Sequence, residues 1–420
     1  MNGQMRFFLN RIRQRLWVKP LMICVFSVLA ALVARIVDHV PFFPAFPDIT
    51  VDSIEELLTI IGAGMLGVSA FAVGSMISAY ASASSTATPR SFPLVIADDV
   101  SQNALSAFIG AFIYSIIALV ALKNGYYGSA GRFVLFIVTL FVFVVVILSF
   151  IRWVDRIARL GRLGNIIDRV EEVTADAIRR RQQEPTLRAR KAEGKVDGVP
   201  IYANRVGYVQ RIDVSRLQAL AERFDLDITV VSLPGVFSTP DRPLAYMSSE
   251  KRTAEDELDI TSIAEAFVIG KDRVFAEDPR FGLIVLSEIA SRALSPAVND
   301  PGTAIDIIGA FVRLFALWIE HPQSYEAPDI EFDRVSVPEV SVDDMFDDAF
   351  NAISRDGAGT IEVAIRLQKA LNTLASLGDV DVEVASRSHA HLAFRYAEQS
   401  LPLPEEIEAL QRIYRSEANG

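Results

Sequence analysis

The run from Leu57 to Ala81 contains no charged side chain. A stretch of that length without charge constrains the fold more than any other feature of the chain. In lipid it must close its backbone hydrogen bonds internally, so it is read as a membrane-spanning helix. It also contains GAGMLG, which fits G-x-G-x-x-G at Gly62, Gly64 and Gly67. A dinucleotide-binding loop needs a strand before those glycines, an amphipathic helix after them and an acidic residue about 20 positions on. None of that context is present, so the glycines call for another explanation.

Four apolar runs have spanning length: Leu21–Val37, Leu57–Ala81, Ala104–Leu122 and Phe133–Ile151. Arg35 is the only ionisable residue inside them, close enough to an end to snorkel. The long basic flank before Leu21, with no small-x-small site following, favours an uncleaved anchor over a signal peptide. Lys and Arg gather at the two ends of this region. Arg6, Arg11, Arg13, Arg15 and Lys19 precede the first run, and Arg152, Arg156, Arg159 and Arg162 follow the fourth. The positive-inside rule therefore places both termini in the cytoplasm of a bacterial inner membrane. Trp153 is expected at the inner interface, with Tyr126 and Tyr127 at the outer one.

Charge divides the chain. Up to Asn165 there are 13 Lys and Arg against 8 Asp and Glu, a net of +5; the remaining 28 and 44 give −16. A basic apolar part followed by an acidic part reads as a membrane anchor with a soluble domain. The acidic part would repel nucleic acid, which is excluded as a partner. The single cysteine, Cys24, allows neither an intrachain disulfide nor a multi-cysteine metal site.

In the second span Ala63, Gly67, Ala70, Gly74 and Ser78 fall on one helical face, and in the third Ala104, Ala107, Ala111, Ser115 and Ala118 do the same. Small residues let helices approach closely in lipid. The two stripes are expected to pack the spans together as an inner pair, or to form a subunit contact or pore wall. The bulky fourth span, Val142 included, is expected to face lipid. Ser82, Ser84, Ser85 and Thr86 form a polar segment, read as either a surface loop or the lining of a wet cavity. Asp38, Asp48, Asp52, Glu55 and Glu56 gather near the outer end of the first two spans, with Asp98 and Asp99 on the inner side. Rings of such carboxylates would concentrate cations.

The expected organisation is a transmembrane domain over 1–164, a linker helix over 165–198, a small β-rich module over 199–250 and a mostly helical domain over 251–420. In the module, a short helix from Ser215 is expected to use that serine as N-cap. In the last part Asp278-Pro279 and Asp300-Pro301 each read as an N-cap aspartate with proline at N1. With Ser295-Pro296 between them they define a helical hairpin. Arg292 and Asn299 also lie in it. Two helices follow near Asp343–Ser354 and Gly359–Leu377, then a strand-plus-helix pair near Asp381–Gln399. His389 and His391 would point to different faces of a helix, which argues against a metal there. No nucleophile–base pair, metal spacing or cofactor motif appears, so neither enzyme activity nor a cofactor is expected.

Two long phrases carry a resemblance. "AEDPRFGLIVLSEIASRALSPAVNDPGTA" (Ala276–Ala304) and "GYVQRIDVSRLQALAE" (Gly207–Glu222) resemble those of a bacterial predicted-membrane-protein family filed as a domain of unknown function. The chain departs at Ala276-Glu277, where the family phrase usually has glutamine before the aspartate. The resemblance implies a four-span region with a C-terminal domain and supplies no activity. The residues themselves point to a homo-oligomeric channel or pore with cation bias and a cytoplasmic regulatory domain. The alternative is a membrane-anchored scaffold or sensor that binds a ligand or protein through that domain.

Overall fold

The computed structural model describes residues 47, 49–96, 99–157, 162–194, 197–248, 260–320 and 330–415, with isolated positions between 21 and 29. The expected first span, Trp17, Asp38, Asp48 and Asp98 therefore lie outside or almost wholly outside the described residues. The chain divides into two compact units, Met1–Ile166 and Ile167–Gly420.

In the first unit α1 (Val51–Thr86) and α2 (Phe92–Ile96) lead to α3 (Asp99–Lys123) and α4 (Ser129–Ile157). Helix α1 has 36 residues. At 1.5 Å per residue it is roughly 54 Å long, well beyond a hydrocarbon core of about 30 Å. Gly62, Gly64 and Gly67 all lie inside this one helix, so no phosphate-binding turn exists there. The polar segment is also helical through Thr86. The turn expected from Ser82 begins only after it, where Pro89 cannot continue the helix. Helices α1, α3 and α4 pack on one another. Between α3 and α4 the buried hydroxyls of Tyr114 and Thr139 bond at 2.9 Å.

By length and composition four helices suffice to cross a membrane: Val51–Ala83, Val100–Lys123, Ser129–Ile157 and Pro301–Ile319. The first three match expected spans. The fourth was read from sequence as part of the hairpin, and its apolar face is used in the core of the second unit.

The second unit opens in α5 (Leu163–Gln183), whose residues from Ile167 onward belong to it. Its strands are β1 (Ala189–Lys191), β2 (Val199–Tyr202), β3 (Gly207–Ile212), β4 (Asp227–Val230), β5 (Phe237–Ser238), β6 (Pro243–Ser248), β7 (Phe267–Gly270) and β8 (Phe332–Val337). They form a five-stranded sheet in the order β1-β8-β4-β6-β2 and a three-stranded sheet in the order β5-β3-β7. β8 runs parallel to both β1 and β4, with Ile228 opposite Val335. The β-rich module therefore does not stop at 199–250. It takes β1 from the supposed linker, and β7 and β8 from the supposed helical region. Strand pairing fills the open edges of β4 and β3 with chain from far away, which local pattern cannot reveal. One core, including Ile201, Leu217, Ile228, Leu244 and Val335, serves both sheets and α6 (Val214–Arg223). The N-cap of α6 is Asp213, whose carboxylate accepts the backbone N–H of Arg216. Ser215, expected in that role, instead donates its hydroxyl to Asp213 at 2.7 Å.

After α7 (Ile260–Ala264) the helices are α8 (Pro279–Ala293), α9 (Pro301–Ile319), α10 (Val342–Asp356), α11 (Ile361–Ala375), α12 (Val380–Ser400) and α13 (Pro404–Arg415). Helix α12 is continuous, so the expected strand near Asp381 is absent. Its N-cap Asp379 accepts from Val382 N, and that cap commits the segment to helix. The core of these helices is aromatic. Phe315 and Phe346 lie 4.3 Å apart between ring centroids, and Phe311, Phe350 and the buried His389 complete the group. His391 is exposed, so the two histidines do face different sides.

Candidate functional site

Helix α1 has two apolar faces of different grain. Ile54, Leu58, Ile61, Ala72 and Met76 are buried. They recur at helical spacing and seat bulky side chains on the small-residue stripe of α3. There Ala104, Ala111, Ser115 and Ala118 are buried and Ala107 is half-buried. One glycine of α1 does make a close approach: a Cβ on Gly62 would stand 3.3 Å from Ser115 Cβ.

The stripe expected to face α3 does not do so. Ala63, Gly67, Ala70, Gly74 and Ser78 are all exposed. A Cβ built on Gly64, Gly67 or Gly74 meets nothing within 4 Å. The reading of two stripes packed on each other is thus corrected. Knobs on a flat stripe bury more surface than two flat stripes, so α3's small face takes α1's large one. The small face of α1 is left over, bounded by the exposed Ile60, Leu66, Phe71 and Ile77.

Helix α4 is mostly outward, as expected, with Phe141 67% exposed. Two of its residues differ from expectation. Val142 is half-buried against the α1–α3 core. Trp153 is buried among Phe71, Phe108 and Phe150 instead of standing in an interfacial belt. Tyr126 is exposed and Tyr127 is buried.

The acidic end of α1 holds Asp52, Glu55 and Glu56 within the first two turns. Asp52 and Glu56 are exposed. Glu55 is paired with Lys123 at the last turn of α3, 2.6 Å away. Ser82, at the other end of α1, is exposed. The side chains of Ser84, Ser85, Thr86 and Asp99 lie outside the described residues.

In the second unit the two Asp-Pro caps form as read. Asp278 accepts Phe281 N at 3.2 Å, and Asp300 accepts Thr303 N at 3.1 Å. Asp278 is also gripped by Arg273, through Nε at 2.7 Å and Nη2 at 3.0 Å, with its side chain 2% exposed. Ser295 Oγ donates to Arg292 O, and Asn299 adopts φ +51° to turn the chain into Asp300. Arg292 is exposed. These residues are caps, turns and ion pairs, and no nucleophile–base geometry joins them. Sequence reasoning missed Arg280, which bridges to Asp344 and Asp348 on α10. Its partners are 64 and 68 residues away, beyond any local signal. No group of three or more metal-binding side chains occurs among the described residues.

An uncharacterized protein of Mycobacterium bovis and one of Mycobacterium tuberculosis are each 36% identical to this chain over 115 residues. The match covers 27% of the chain and 22% of each relative, so the chain spans about a fifth of the length of these curated relatives. No solved structure matches. A family model described as "Predicted membrane protein (DUF2254)" matches residues 13–373. With most of its length inside that match and its unpaired apolar helices fit for lipid, the chain belongs to this family of predicted membrane proteins.

Proposed function

We propose that the protein is a homo-oligomeric pore of the bacterial inner membrane, with α1 turned toward the axis and the second unit acting as a cytoplasmic regulatory domain. One observation carries the reading: the exposed stripe Ala63, Gly67, Ala70, Gly74 and Ser78, which makes no contact in its own chain through the two glycines. Small residues on a spanning helix give no advantage against lipid tails. They do let backbones of neighbouring copies approach, or leave room for an aqueous path. Asp52 and Glu56 at one end of the stripe would favour cations.

The test uses Gly67→Cys or Gly74→Cys in a Cys24→Ser background, with Phe141→Cys as the lipid-facing control. Cross-linking should join two copies at position 67 or 74 and not at 141. Thiol reagents should then block current in planar bilayers. If positions 67 and 74 label like 141 and never cross-link, the stripe faces lipid and the pore reading fails.

A second reading, a membrane-anchored sensor, is favoured by a separate observation: a cavity in the second unit lined by charged side chains. It would give cross-linking without current.

A further inference from the structure

The cavity has a volume of about 540 Å³, within the range of small-molecule sites. Its wall is assembled from four places in the chain. Arg181 and Gln182 come from the end of α5, Trp318 and Glu320 from the end of α9, Glu339 to Asp343 from the start of α10, and Asp379, Asp381 and Val384 from the start of α12. Gln182 holds two of these together, with its Nε2 donating to the carbonyls of Leu317 and Trp318 at the C-terminus of α9.

Two features of this wall are unfinished. Arg181 is only 5% exposed. Its Nη2 reaches Glu277 O at 3.4 Å, and its Nη1 is buried with no hydrogen-bond partner. A buried guanidinium nitrogen without a partner forfeits a charge-assisted bond worth more than an ordinary one. Burial pushes the guanidinium down from its ordinary range, although Glu277, Asp278 and Glu184 oppose this. Around the cation stand carboxylates. Glu339 is paired with Lys191 at 2.7 Å, and Asp379 is engaged as the cap of α12. Asp343, Asp381 and Glu320 have no ion-pair partner among the described residues and are exposed.

A free anion would be repelled by the three carboxylates, and a free cation by Arg181. A molecule carrying both charges satisfies both ends. The apolar part of the wall, Trp318, Val340, Val342 and Val384, suits a hydrocarbon side chain. We propose that this cavity binds a small apolar zwitterion of the α-amino-acid class, with its carboxylate on Arg181 and its ammonium among Asp343, Asp381 and Glu320. The proposal is independent of conduction, because it concerns the second unit alone.

The experiment is calorimetry on the full-length protein in nanodiscs. The probes are L-leucine and L-phenylalanine, beside the matching amines (isoamylamine and phenethylamine) and acids (4-methylpentanoate and 3-phenylpropanoate). An amino acid should bind at least tenfold more tightly than its amine or its acid. The exposed pair Asp343→Asn with Asp381→Asn should weaken it at least tenfold without changing the melting temperature, and Arg181→Gln should abolish it. Arg181 is buried and its variant can misfold, so the aspartate pair decides. Equal binding of acid and amino acid would overturn the proposal in favour of an anion site. Equal binding of the amine would leave only an acidic rim. No heat from any probe, or binding indifferent to the aspartate pair, would also overturn it.

Discussion

The Nζ of Lys123 lies 2.6 Å from Oε1 of Glu55, tying the last turn of α3 to the start of α1. Glu55 is therefore neutralised, while Asp52 and Glu56 remain uncompensated by this lysine. Both partners are partly exposed, at 56% and 35%, and such pairs contribute about 0–1 kcal/mol. Glu55→Gln should leave the melting temperature nearly unchanged. In reconstituted bilayers under a salt gradient, Asp52→Asn with Glu56→Gln should reduce cation preference more than Glu55→Gln does. Lys123→Gln should increase it. Anion-selective current in the unmodified protein would refute the charge argument.

Gly282 on α8 and Thr174 on α5 are in close approach. A Cβ on Gly282 would overlap the Thr174 side chain, reaching its Cβ at 2.7 Å and its Cγ2 at 2.8 Å. Gly282→Ala should destabilise the second unit by about 1–3 kcal/mol through overpacking. Thr174→Ala should recover much of that loss in the double variant, because it removes the overlapping atoms. Denaturant unfolding of the two single variants and the double variant measures the coupling.

The paired Asp-Pro caps should respond very differently to alanine. Asp300 sits at a part-exposed site, and losing its cap should cost about 1 kcal/mol. Asp278→Ala also leaves Arg273, with 14% of its side chain exposed, without its carboxylate. Breaking a buried pair from one side costs about 3–5 kcal/mol. Equal losses for the two variants, read by chemical unfolding, would mean that the ion pair adds nothing.

Acid should act on Asp300 and Asp348 with opposite signs. The Thr303 hydroxyl, with the Thr303 backbone N–H, holds Asp300 below the usual carboxylate range. Its contribution is full above the unfolded value of about 3.9 and is lost as pH falls through the lower folded value. The deficit of Asp300→Asn should therefore be largest at neutral pH and shrink in acid. Burial raises Asp348 despite Arg280. That carboxylate loses stability as pH rises through its folded value, so Asp348→Asn should flatten this limb. Unfolding free energy measured against pH separates the two.

The sequence alone determined the features that act within a turn or two of helix. A charge-free run must satisfy its backbone internally in lipid, which located α1, α3 and α4. An aspartate before proline supplies an acceptor and a preset φ, which located both starts of the α8–α9 hairpin. Tertiary structure decided everything that needed a distant partner. Nothing near Phe332 announces that β8 enters between β1 and β4, since strand pairing joins segments far apart in the chain. Asp278 and Asp300 read identically, and only the fold brings Arg273 onto one of them. Small residues mark two faces, on α1 and α3, but spacing cannot say which face a neighbour fills. Packing gave α3's stripe the bulky side of α1 and left Gly67 and Gly74 uncovered, because burying large side chains gains more contact than joining two flat surfaces. Arg181 likewise looks like an ordinary basic helix end until burial removes its water.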